Sequence, residues 1–94
     1  MPENIIISDT SCLIVLSRID NLHLLNDLYG RILITREIAD EFEEPLPDWI
    51  SIEQVKNSNM LRILAEQVDL GEASAIALAF EKDNVLLIMD DLKG

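Results

Sequence analysis

One cysteine, one histidine, three glycines and three prolines are all that this 94-residue chain carries of the residues that crosslink, coordinate or sharply bend a protein. A lone Cys12 excludes an internal disulfide framework and a cysteine-rich zinc site, and a reducing cytoplasm is the expected compartment. Gly30, Gly71 and Gly94 stand apart, so there is no glycine-rich phosphate loop. Basic residues are scarce: 7 against 18 acidic ones, a net charge of −11. Arg18, Arg36 and Lys93 are too scattered to form a stripe, so a protein that grips phosphate backbones with a basic face is excluded. A nuclease is not, because metal ions can bridge acidic side chains to phosphate. No apolar run approaches the roughly 18 residues of a membrane span. The opening MPENIIIS lacks the basic region and long apolar stretch of a signal peptide, so none is expected.

What is abundant is apolar side chain, 49% of the chain, ample for one packed domain. Asn4 to Ser8 (NIIIS) reads as a buried strand. Leu13, Leu16 and Ile19, then Leu22, Leu25 and Leu28, form two helical stripes. Asp20-Asn21 breaks them with a fresh cap, and Gly30 closes the second helix. Ile32 to Ile34 is a second strand. Thr35 caps a helix over REIADEFEE, which Pro45 and Pro47 end. Asp48 to Val55 is an extended segment or edge strand. Ser58 opens a further helix, NMLRILAEQV. Leu70-Gly71 leads into the alanine-rich helix EASAIALAFEK, and Asn84 turns the chain into a third buried strand, Val85 to Met89. Apolar strands separated by helices predict an α/β fold with a central parallel sheet covered on both faces.

In such sheets functional groups gather beyond the carboxyl ends of the strands. Asp9 follows the first strand and Asp90 the last, and as parallel neighbours these would share a rim. Glu41 on the REIADEFEE helix and Glu72 near the start of the alanine-rich helix are candidates to join them. Each has an ordinary alternative. Asp9 suits a helix cap, with Thr10 or Ser11 helping. Glu41 sits in a run with Glu37, Asp40, Glu43 and Glu44 that suits a solvated face. Glu72 suits a helix start, and Asp90 and Asp91 suit a turn. Four converging acids without a basic partner make physical sense around a divalent cation, and oxygen ligands point to Mg2+ or Mn2+. Such an ion can activate water and stabilise the leaving oxygen in phosphodiester cleavage.

The segments IIISDTSCLIVLSRIDNLHLLNDLYG, ILITREIADEFEE, LGEASAIALAFEK and VLLIMDDLKG together resemble the N-terminal two-thirds of a PIN-domain protein. They are most similar to a prokaryotic PIN-like subgroup encoded as toxin components, relatives of VapC-type toxins. The resemblance implies a three-layer α/β/α fold and a ribonuclease dependent on magnesium or manganese. It places Asp9, Glu41, Glu72 and Asp90 at the family's acidic positions, with Asp91 in the doubled form of the subgroup. Thr10 and Ser11 match positions that orient water or phosphate at the metal. It implies RNA as substrate and an antitoxin protein as partner. Family members continue past DDLKG through a further helix, a strand and usually more helix. Residues 1–94 are therefore expected to be a single PIN-like domain lacking its C-terminal strand and helices.

Two other functions differ in kind. A non-catalytic PIN remnant that binds an antitoxin or itself would leave the acids without activity. A receiver-like phosphoacceptor domain needs paired acids after the first strand and a strand-end lysine, and here only Asp9 is offered. Among other residues, His23 reads as a helix boundary residue, Cys12 as a small core residue and Trp49 as an anchor between loop and core. Uncovered apolar surface predicts self-association as a homodimer or higher oligomer. Size-exclusion chromatography with light scattering should show it, and a monodisperse monomer would contradict it.

Overall fold

The structure is a computed structural model that describes residues 5–88. Asn4, Met89, Asp90 and Asp91, on which some of the sequence expectations fall, lie outside the described residues. Within them the chain runs β1 (Ile5–Ser8), α1 (Thr10–Arg18), α2 (His23–Tyr29), β2 (Ile32–Thr35), α3 (Arg36–Phe42), β3 (Ile50–Glu53), α4 (Ser58–Ala65), α5 (Leu70–Phe80) and β4 (Val85–Ile88). All strand pairs are parallel, in the order β3-β2-β1-β4. The chain steps from β1 through β2 to β3, then returns across the sheet to β4. Helices α1–α3 lie in the connections from β1 to β3 and α4–α5 in the connection from β3 to β4, with α3 packed against both α1 and α5. The result is three layers, α/β/α, with α5 packed along β1, β2 and β4.

The core follows from the strand sequences. Ile7, Ile32 and Ile34 are fully buried, and Leu13, Ile38 and Leu78 reach them from α1, α3 and α5. Each such side chain contributes about 1.5–3 kcal/mol when removed from water. The small residues Ala73, Ala75 and Ala77 are buried too, letting α5 lie close on the sheet.

Local signals account for most boundaries. Thr35 caps α3 by accepting from the Ile38 N–H at 3.1 Å. Gly30, with φ of 79°, closes α2 and donates to the Asn26 carbonyl. Asn84 makes its turn with φ of 56°. Three expectations need correction. The break before α2 comes from Asp20 in the left-handed region (φ 61°), a conformation aspartate tolerates; Leu22 stands at the cap position without a side-chain cap. Ser58 opens α4 as expected, and Asn57 caps it, accepting from the Met60 N–H. Asp69 caps α5 by accepting from the Glu72 N–H, so this helix starts at Leu70. The last strand is not buried: Leu86 is exposed and its neighbours are half-buried, because β4 pairs only with β1 among the described residues. The segment left open at 48–55 forms the edge strand β3, in register with β2 from Ile32 beside Ile50 to Thr35 beside Glu53.

Thr35 also joins the end of β2 to α5. Its Oγ1 lies 2.6 Å from Ser74 Oγ on α5, both fully buried. Ser74 donates its one proton to the Gly71 carbonyl at 2.8 Å, so Thr35 is the donor to Ser74 and the acceptor for Ile38. Thr35→Val should therefore cost about 1–3 kcal/mol, from a lost cap and an unsatisfied buried N–H. Urea denaturation measures it, and a loss under about 0.5 kcal/mol would contradict this role.

Candidate functional site

The chain order β3-β2-β1-β4 reverses direction at β1, and clefts in open parallel sheets form beyond the carboxyl ends of strands at such a point. Asp9 stands there. It is 2% exposed, and its backbone N–H donates to the Ile88 carbonyl of β4 at 3.0 Å. Its Oδ1 accepts from the Cys12 N–H at 2.9 Å, capping α1. The capping alternative is thus real, but it does not remove Asp9 from the cleft. A cavity of about 360 Å³ opens over it, lined by Asp9, Thr10, Ser11 and Ile14 from the β1–α1 turn. Glu41 and Glu43 from the end of α3 and Asp69 and Glu72 from the start of α5 complete the lining. Five acidic residues line it, and among the described residues the lining holds no lysine or arginine.

The structure thus brings Asp9, Thr10, Ser11, Glu41 and Glu72 to one cleft. Asp90 and Asp91 lie outside the described residues. Ser8 is nonetheless in register with Ile88, so β1 and β4 run side by side toward the same rim. Glu41 is exposed, on the last turn of α3, and its Oε1 accepts from the Thr10 hydroxyl at 2.6 Å. That bond ties α3 to the start of α1. Glu72 is half-buried in the first turn of α5. Glu43 and Asp69 extend the site beyond the residues named from sequence. Glu43 was grouped with the solvated acidic run, but as the residue closing α3 it has φ of 60°, which turns the chain at the cleft. Asp69 carried a readable signal, the Asp-x-x-Glu spacing with Glu72 that marks a helix start.

Of the residues read as structural, His23 is exposed at the first position of α2. Cys12 is half-buried in α1. Trp49 packs against the core, and its carbonyl accepts from the Ile32 N–H at 2.9 Å, which locks the loop to β2.

The donor set is oxygen throughout, suited to a hard cation. Among the described residues, however, no three histidine, cysteine, aspartate or glutamate side chains form a group able to hold a metal ion. The acids line the cleft, Asp9 accepting from a backbone amide and Glu41 from a hydroxyl. Magnesium is commonly held by only one or two carboxylates, with water and substrate phosphate completing its shell, and the cleft supplies that many. No helix among the described residues is long and apolar enough to cross a membrane.

These features define a parallel α/β domain with an acidic cleft at the switch point of its sheet, the plan of a nuclease-type fold. A family model for DUF3368, a PIN domain, matches residues 5–94, and the chain belongs to that family. Comparisons with curated proteins and with solved structures find no match.

Because asparagine caps a helix as well as aspartate does, the two roles of Asp9 can be separated. Asp9→Ala should lower stability by about 0.5–2 kcal/mol through loss of the α1 cap, and Asp9→Asn should cost less than half of that. Thermal denaturation of both variants checks it. Equal losses would show that the cap is not what Asp9 contributes to the fold.

Proposed function

We propose that this protein is an endoribonuclease of the PIN type, dependent on Mg2+ or Mn2+, and the toxin of a toxin–antitoxin pair. The observation that carries the reading is the meeting of Asp9, Glu41 and Glu72, from three distant segments, in one cleft free of basic residues among those described. A chain of net charge −11 repels RNA. A divalent cation between its carboxylates and the phosphate backbone reverses that repulsion locally, and when bound it supplies the Lewis acid for phosphodiester hydrolysis. Asp9 and Glu72 would hold it, with Glu41 beside them and Asp90 and Asp91 contributing from beyond β4. Thr10 and Ser11, at the N-terminus of α1, would orient phosphate or water. The substrate would be cytoplasmic RNA.

The partners in this proposal are an antitoxin protein and a second copy of the chain. Leu24, Leu28 and Tyr29 of α2 are exposed large apolar side chains, with Leu28 at 71%, and they support a protein-binding role for that helix. The same surface, together with the lack of a three-ligand group among the described residues, favours a second reading: a non-catalytic module that binds an antitoxin or itself.

Incubating the purified chain with labelled RNA separates the two. The nuclease reading expects cleavage with Mg2+ or Mn2+, none with a chelator, and a loss on the order of 100-fold in Asp9→Asn and Glu41→Gln. RNA binding should likewise require the divalent ion. Cleavage that survives both substitutions would contradict the assignment. An intact RNA with a stoichiometric protein partner would decide for the second reading.

A further inference from the structure

Helix α5 contains a glycine that its backbone does not require. Gly71 is buried, the second residue of the helix, and it is not among the residues with positive φ. Alanine is the better helix former at such a position, so the reason lies in the space beside it. A Cβ placed on Gly71 would collide with Glu41 Oε1 and stand 2.7 Å from Thr10 Oγ1. These two atoms are themselves joined, the hydroxyl donating to the carboxylate. Together they occupy the volume that a side chain at position 71 would fill.

The other side of Gly71 is anchored. Its carbonyl accepts from Ser74 Oγ, and Ser74 is bonded to Thr35. Thr35 also caps α3, the helix that carries Glu41. Glycine and glutamate are therefore both referenced to one buried hydroxyl. The atoms a methyl group would meet are the ends of two side chains, not backbone. The glutamate end is flexible and the Thr10 hydroxyl can turn about a single bond, so an added methyl should displace both groups and leave the backbone in place.

We propose that Gly71 is a positioning residue, whose bare Cα is the seat that aligns the Glu41 carboxylate with Thr10 at the mouth of the cleft. This rests on the reading of the cleft as a nuclease site and deepens it.

The test compares the wild-type chain with Gly71→Ala, Thr10→Val, Glu41→Ala and the Gly71→Ala/Glu41→Ala double variant. Three readouts are needed: the side-chain carboxyl 13C resonance of Glu41, the melting temperature, and Mn2+-dependent cleavage of an RNA oligonucleotide. In Gly71→Ala the Glu41 resonance should move in the direction it moves in Thr10→Val, while the melting temperature does not fall. Cleavage kcat should drop by about 10-fold or more with little change in KM. In the Glu41→Ala background, Gly71→Ala should cause no further loss. An unmoved Glu41 resonance, a fall in melting temperature, or losses that multiply in the double variant would each overturn the proposal. If the wild-type chain cleaves no RNA, the nuclease reading fails, yet a Glu41 resonance that moves in Gly71→Ala still supports the seat.

Discussion

Burial of a small aliphatic core is the interaction on which the rest of the structure depends, because it alone brings acidic residues from distant parts of the chain to line one cleft. Asp9, Glu41, Glu43, Asp69 and Glu72 come from three separate chain segments, so only packing elsewhere can keep them together. The burial of Ile7, Ile34, Ile38 and Leu78 joins β1, β2, α3 and α5 into one body. The bonds from Thr35 to Ser74 and from Ser74 to Gly71 then set the height of α5 against α3. Local donors then fix two of the carboxylates, an amide at Asp9 and a hydroxyl at Glu41.

Much of this is legible in the chain itself, for reasons that differ by element. The isoleucine runs of β1 and β2 can only be buried strands, and Thr35 three residues before Ile38 is a cap with few other uses. The break at Asp20-Asn21 was legible as a break, but not as a left-handed aspartate, because side-chain caps and backbone reversals share the same residue types. The edge strand β3 was ambiguous because Ile50 and Ile52 alternate with polar residues. Ile50 is buried, while Ile52, two residues further along the same face, is exposed. The apolar run of β4 read as buried, yet burial depends on what lies beside a strand, and hydrophobicity alone does not reveal that.

The candidate site divides along the same line. Asp9 was readable because an acid directly after a buried strand has few places to go. Glu41 was indistinct within its acidic run, and its bond to Thr10 exists only in three dimensions. Gly71 carried no sequence signal, since the side-chain atoms next to it come from residues 30 and 61 positions away. Asp90 and Asp91, which the chain order led one to expect on the same rim, lie outside the described residues.

Membership of the PIN-domain family gives the acidic cleft a plausible chemistry; whether the cleft takes up a cation is the point on which the account turns. Backbone amide spectra recorded as Mn2+ is added in substoichiometric amounts address it most directly, because the ion broadens signals only near where it sits. The account predicts that residues 9–11, 41 and 71–72 broaden first, and that Asp9→Asn abolishes this selectivity. Broadening spread evenly over the other acidic surfaces, around Glu66 or Asp83 as much as around Asp9, would contradict it.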